Sequence, residues 1–342
     1  MRSLTLFIPG LAGPRVPLSR EDLPSLPAQE FILGRARRRK HNDLGYCAMM
    51  SELMGVAVPE GRDVPVAPVT RLLDSEEHPE GIWMRADPVH LSPDRDRLLL
   101  LESSTFPLTQ HDALAIATEV QKVLDADAWR LEVPFRDRWY IKLAGLPDIT
   151  TTELTETAGK DIDPCLPRGP EATAWHRLLN EIQMQLHECD INLERQARGE
   201  LPVNSLWFWG VGELPDIPPR LWSVVYSDDC FLRGLAVSSM TPYEESAGGV
   251  SAVLDEMPDR ARVLLHLDHC RRASRYADLR MWQEALLELE AEWFEPLLRA
   301  LREDELQYLE IRTEGYGFTL TRLGMKKFWR RPRSAINFAM PE

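Results

Sequence analysis

Short apolar runs bounded by turn residues alternate with stretches of helical periodicity along this chain. Leu4-Thr5-Leu6-Phe7-Ile8 is continuous and apolar and stops at Pro9-Gly10, the pattern of a buried strand. Residues 13–29 are rich in proline and read as loop, 35–54 as a helix with its apolar positions in the second half, and 59–68 as a further loop. Residues 83–91 and 96–101 carry strand character, with Ser92-Pro93-Asp94 as the turn between them. Thr109 is placed to cap a helix that runs to Leu124 with Leu114, Ala117, Val120 and Leu124 as its stripe. A second strand pair, 129–133 and 139–143, precedes an irregular polar stretch, 147–170. A helix over 172–188 then puts Leu178, Leu179, Ile182 and Leu186 on one face. Short strands at 206–209 and 221–225, a buried strand at 263–267, a long helix over 278–301 and closing strands at 308–311 and 318–320 complete the pattern.

Strands and helices alternate at both ends, which predicts an open α/β sheet, while the middle reads as hairpins plus helices, an inserted α+β lobe. A chain of 342 residues exceeds one typical core, so two lobes are expected. The formal net charge of −14 disfavours nucleic acid and anionic membrane surfaces, which attract surplus Lys and Arg. Cys47, Cys165, Cys189, Cys230 and Cys270 are dispersed, without a CxxC pair, and read as reduced thiols. The first apolar run is too short for a signal segment, and no stretch approaches the roughly 20 apolar residues that span a bilayer. A cytoplasmic protein is the expectation.

The most specific phrase is Asp190-Ile191-Asn192-Leu193-Glu194-Arg195, then Arg198-Gly199-Glu200-Leu201-Pro202-Val203-Asn204-Ser205-Leu206-Trp207-Phe208-Trp209-Gly210-Val211-Gly212 and Leu214-Pro215. It resembles a segment of the archaeal-type cofactor-independent phosphoglycerate mutases and the related proposed homoserine kinases, in the alkaline phosphatase superfamily. Arg85-Ala86-Asp87-Pro88-Val89, and residues 161–167 with the helix that follows, are similar to further pieces of the same family. The resemblance implies an α/β fold with an alkaline-phosphatase-like sheet flanked by helices. That core would be built from 1–82 and 200–342, with a smaller lid-like α+β domain, 83–199, inserted. It also implies two divalent cations held by Asp and His, and a Ser or Thr that takes the phosphoryl group.

Those chemical groups are missing. Where the family has a metal-binding Asp after the first strand, this chain has Phe7-Ile8-Pro9-Gly10-Leu11-Ala12-Gly13, and no carboxylate precedes Glu21. The nucleophile position falls near Arg38 or Arg39, and no Ser or Thr lies between Ser25 and Ser51; Cys47 is a weak substitute. With Glu290 and Pro296-Leu297-Leu298 in register, the ligand Asp aligns with Arg271, the ligand His with Arg275, and the family's Lys with Trp282. A closing Asp-His pair is replaced by Arg312-Thr313-Glu314-Gly315. A guanidinium carries only donors and cannot ligate a metal.

The expectation is therefore a non-catalytic binding or regulatory protein with no cofactor. Arg38, Arg39, Arg271 and Arg275, with His266 and Asn204, are candidates for binding an anion, a phosphorylated or carboxylate metabolite. The alternative for these arginines is pairing with the chain's surplus acid, and for His266 a buried hydrogen-bonded place at a strand end. A protein partner with no ligand in the cleft is a further reading. A phosphoglycerate mutase or phosphatase with a relocated metal site near His266, Asp268 and His269 is the enzymatic alternative. The basic, aromatic run from Met325 to Arg333 reads as a docked arm rather than a single-strand nucleic-acid platform. The glycines of Trp209-Gly210-Val211-Gly212 read as a tight turn rather than a ligand cradle. Arg85–Leu91, Asn180-Glu181-Ile182-Gln183-Met184 and Asn204–Gly210 are also similar to bacterial regulatory proteins of the RpfE type.

Overall fold

A computed structural model describes residues 1–14, 23–42, 44–58, 61–245, 248–327 and 329–333; Asp43, Phe328 and the middle of the proline-rich stretch lie outside the described residues. The chain divides into two compact units, Met1–Met49 with Pro218–Glu342, and Met50–Ile217.

The unit made from both chain ends is a seven-stranded sheet. Numbered along the whole chain, its strands are β1 (Ser3–Phe7), β2 (Arg37–Lys40), β8 (Val224–Tyr226), β9 (Tyr243–Glu244), β10 (Arg262–His266), β11 (Tyr308–Thr313) and β12 (Tyr316–Thr321), in the order β2-β12-β11-β1-β10-β8-β9. β1 lies parallel to both β10 and β11, with Phe7 opposite His266 on one side and Arg312 on the other. A parallel strand covered on both faces needs apolar residues throughout, which accounts for the unbroken run at the start of the chain. β8 continues the parallel set, while β12 and β2 close the other side antiparallel. Leu4, Leu6, Ile311, Trp282, Leu289 and Phe294 lie in the core beneath the flanking helices.

The predicted long helix is present with a register change. Leu279–Leu289 passes through a π turn, Glu290–Phe294, into Glu295–Glu303. Pro296 lacks the N–H an α-helix requires at that place, and the wider turn before it absorbs the mismatch. Residues 35–54 are not one helix. Pro27–Arg35 is helical with proline in its first turn, Arg37–Lys40 is a fully exposed strand, and a separate helix begins at Tyr46. Four consecutive cations have no apolar face to bury, and the backbone there pairs with β12 instead.

In the unit Met50–Ile217 the strands are β3 (Ile82–Asp94), β4 (Arg97–Glu102), β5 (Arg130–Phe135), β6 (Arg138–Leu143) and β7 (Ser205–Gly212). The 13-residue β3 pairs with β6 over Ile82–Arg85, with β7 over Trp83–Val89 and with β4 over Val89–Asp94. Gln110–Leu124, capped by the Thr109 side chain, and Ala172–His187 bury Ile116, Val120, Leu179 and Ile182 with Trp139 and Phe208. The sequence boundaries at 82/83 and 199/200 differ from this division, because β7 belongs by its hydrogen bonds to the inserted sheet. The helix Val66–Asp74, within and beyond a stretch read as loop, also lies in this unit and approaches the β7 glycines closely. A Cβ at Gly210 would lie 2.9 Å from Val66 Cβ, and one at Gly212 would lie 2.6 Å from Pro65 Cβ, so these glycines serve packing.

This interior also holds buried charge. Arg85 donates to Asp87 at 2.8 and 3.0 Å, and Asp87 further accepts the Trp209 indole N–H at 2.7 Å and the Trp139 amide at 3.2 Å.

Candidate functional site

The chemistry-bearing side chains of the seven-stranded unit gather where β1, β8, β10 and β11 end. His266 closes β10 and is buried, its ring 5.4 Å from that of Phe7 at the end of β1. Tyr46, the first residue of the helix Tyr46–Leu53, places its hydroxyl 2.9 Å from Asp229 Oδ2 and 3.1 Å from His266 Nε2. The other imidazole nitrogen is 3.1 Å from Ser227 Oγ, which accepts the Asp229 amide at 3.0 Å. Asp229 Oδ1 caps the helix Cys230–Ser238 by accepting the Phe231 and Leu232 amides.

One proton assignment satisfies every member of this ring. Ser227 Oγ–H donates to Nδ1, Nε2–H donates to the Tyr46 oxygen, and the phenol proton goes to Asp229; the tautomer is assigned from this network. Burial pushes the His266 pKa down, against the pull of Asp229 and Asp268. Burial also drives Tyr46 well above the ordinary phenol value, helped by Asp229. Both are neutral near pH 7, and both imidazole nitrogens and both hydroxyl protons of the ring have internal partners. The arrangement holds structure and offers no idle general base.

Arg271 opens the short helix Arg271–Arg275. Its Nε and one terminal nitrogen donate to the two Asp268 oxygens at 2.6 and 3.0 Å, and its guanidinium lies 4.2 Å from the Tyr46 ring centroid. The remaining terminal nitrogen is buried without a hydrogen-bond partner among the described residues. Beside it the loop after β1 is clamped. The Gly10 amide donates to both Glu314 oxygens at 2.8 and 3.0 Å, and the Gly10 carbonyl accepts the Trp282 indole N–H at 3.0 Å. Gly10 has φ +77°, and a Cβ there would lie 2.7 Å from the Cys270 carbonyl oxygen. Three departures from the resembled pattern thus meet at one residue: the carboxylate-free first loop, Trp282 in place of lysine, and Glu314 near the lost closing pair.

This donor set does not fit a pair of divalent cations. Asp229, Asp268 and Glu314 are bound to protein donors, both His266 nitrogens are engaged, and Arg271 fixes a positive charge in their midst. Among the described residues no group of three or more His, Cys, Asp and Glu side chains is disposed to hold a metal ion.

Of the six candidate residues, the structure brings together Arg271 and His266, through Tyr46. Arg275 is half-buried four residues on, its guanidinium 5.5 Å from the Tyr276 ring centroid. Arg38 and Arg39 are exposed on β2, with β12, β11 and β1 standing between them and β10, so the arginine cluster does not converge on Arg271. Asn204 lies in the other unit and clamps backbone, accepting the Leu91 amide at 2.7 Å and donating to the Leu91 carbonyl at 2.9 Å. The arm before Arg333 docks on the helix Pro27–Arg35: Arg330 donates to the Ala36 carbonyl at 2.7 Å and the Arg333 amide to Glu30. Asp229 and Ser227 were missed. Their only signal is a Ser-Asp-Asp run after a short apolar strand, which is also a common helix start.

No family model matches the chain. A 2,3-bisphosphoglycerate-independent phosphoglycerate mutase from Methanothrix thermoacetophila is 26% identical over 188 residues, 50% of this chain and 47% of that protein. A probable enzyme of the same name from Geobacter sulfurreducens is 23% identical over 238 residues, 64% of this chain and 59% of that protein. Homologues of this chain are thus archaeal-type cofactor-independent phosphoglycerate mutases. The matched regions span about half the length of these curated relatives. The solved cofactor-independent phosphoglycerate mutase from Thermoplasma acidophilum superposes with a TM-score of 0.51 at 16% identity, covering 98% of this chain and 95% of that one. The PH0037 protein from Pyrococcus horikoshii gives 0.57 at 12% identity, covering 98% and 91%. These likenesses establish the phosphoglycerate-mutase-like fold. No described helix is long and apolar enough to cross a membrane.

Proposed function

We propose that this chain is a non-catalytic binding protein on a phosphoglycerate-mutase scaffold, with a regulatory role of the kind borne by the RpfE-type group it resembles, in a bacterial cytoplasm. The observation that carries the reading is the filled fork of Arg271. A guanidinium stands where the resemblance puts a metal-binding carboxylate, and Asp268 occupies it in the two-point geometry a ligand carboxylate or phosphate would use. The Asp268 side chain is 41% exposed, so it can turn to water and yield its place. Glu314 accepts the single Gly10 amide N–H through both of its oxygens. Internal carboxylates therefore stand in for an oxyanion, and a phosphorylated or carboxylate metabolite binds by displacing one of them. Nearby acid keeps this affinity modest.

Thermal shift with 3-phosphoglycerate and with inorganic phosphate tests the binding. A ligand that binds only the folded protein raises the melting temperature by mass action. The shift is expected to grow in Asp268→Asn, which weakens the internal competitor, and to vanish in Arg271→Ala. No shift in either the parent or Asp268→Asn refutes the anion site and favours a protein partner. Catalysis is tested separately. Phosphoglycerate turnover is expected to stay at background with or without added Mn or Zn. Stoichiometric bound metal and chelator-sensitive turnover would instead establish a relocated centre near His266, Asp268 and His269.

A further inference from the structure

The unit Met50–Ile217 contains a cleft of about 370 Å³. That volume suits a small organic molecule. One wall is aromatic. Trp129, half-buried at the start of the second hairpin, stacks on Trp175 with centroids 5.2 Å apart and planes at 22°. Trp175 is fixed in turn by an edge contact with Phe208, 5.2 Å between centroids at 70°. Leu178 continues the apolar wall, and Leu146 stands at the opening with 47% of its surface in water.

The polar groups of the cleft have one sign. Asp127 and Glu171 line it, and among the described residues no Lys, Arg or His does. The Asp127 carboxylate makes no hydrogen bond or ion pair among the described residues. Glu171 accepts the Asp148 amide through one oxygen, at 3.3 Å, which positions its side chain. Indole faces are the strongest aromatic partners for a cation, and two uncompensated carboxylates beside them add to that preference while repelling an anion. A purely apolar guest would use the tryptophans and leave the carboxylates without a role.

We propose that this cleft binds organic ammonium compounds, molecules that join an apolar body to a protonated or quaternary amine. The body covers Trp129, which Trp175 backs from within, and Leu146, and the cationic head lies between the Trp129 indole and the two carboxylates. This site is independent of the Arg271 site, and takes a ligand of opposite charge.

Calorimetric titration of the full chain with phenethylammonium, phenethyl alcohol and 3-phenylpropionate tests it, since the three share a body and differ in charge. Saturable binding is expected for the ammonium, weakened by salt, with the alcohol about fivefold weaker and the carboxylate not binding. Trp129→Ala should weaken the ammonium about tenfold. Asp127→Asn with Glu171→Gln should weaken it about fivefold and flatten the salt dependence. These two carboxylates are exposed, so that variant decides the matter even where Trp129→Ala disturbs packing. Arg271→Ala should leave ammonium binding unchanged. The proposal is overturned by no saturable heat up to millimolar ammonium, by equal binding of the three probes, or by an unaltered affinity in the double carboxylate variant.

Discussion

Removing one oxygen atom tests the ring of hydrogen bonds at the end of β10. Tyr46→Phe keeps the aromatic body, which lies 5.9 Å from the Phe7 ring and 4.2 Å from the Arg271 guanidinium. What is lost is the hydroxyl that bridges His266 and Asp229. On the histidine side the Nε2–H is buried and its next acceptor, Asp268 Oδ1, is 3.9 Å away, beyond hydrogen-bond distance, and an orphaned buried donor costs about 1–3 kcal/mol. Asp229 is half-buried, so water on its open side can hydrate the freed carboxylate oxygen and the cost is smaller, about 0.5–1 kcal/mol. The gap left by an oxygen is too small to admit a water beside the imidazole. A total loss of about 1.5–4 kcal/mol follows. Urea unfolding of the parent and the variant at pH 7.5 would read it as a lowered midpoint with an unchanged slope. A double-mutant cycle with His266→Gln should show coupling of about 1 kcal/mol or more. A loss below about 0.5 kcal/mol, with no coupling, would refute the closed ring and mean that the phenol is bonded to water.

Three further outcomes are expected. The folded His266 pKa is depressed by burial whereas the unfolded imidazole titrates near 6.5, so its contribution is complete above that pH and is lost as pH falls towards the folded value. Unfolding free energies measured in urea between pH 5 and 7.5 should decline on the acid side, by at most about 1.4 kcal/mol per pH unit from this group, and less steeply in His266→Gln; identical slopes would contradict the assignment. Asp87→Ala leaves Arg85 buried without its carboxylate and should cost about 3–5 kcal/mol in urea unfolding, with a loss under 1 kcal/mol showing that water reaches the guanidinium. Gly10→Ala combines a left-handed backbone with a 2.7 Å approach to the Cys270 carbonyl, and should lower stability by about 1–3 kcal/mol; a neutral result by the same method would mean that the loop is free to move.

Legibility of the fold followed burial. β1, β10 and the stripe of Gln110–Leu124 were readable because each buries side chains in a regular period. Arg37–Lys40 was misread because its conformation is set by a neighbouring strand's backbone, which leaves no mark on side-chain type. Val66–Asp74 was hidden by Pro65 and Pro68, the second of which lies in the first turn, where proline is tolerated. At the candidate site, the loss of the ligand pattern was plain from Gly10, Arg271 and Arg275. Their new partners were not. Glu314 reaches Gly10 across 304 residues, and Tyr46 meets His266 across 220, contacts that only the sheet order brings about.

The exposed strand Arg37–Lys40 has a consequence for how molecules meet. An open sheet ends in a row of unpaired amides and carbonyls, a template on which another copy's strand can grow. At one flank here the terminal strand is only two residues long, and at the other it carries four cations in succession. Two copies approaching along that second flank would bring eight like charges face to face, so the ladder stops at the molecule's own boundary. Replacing those cations by threonine and valine would turn the same backbone into a seed for fibres.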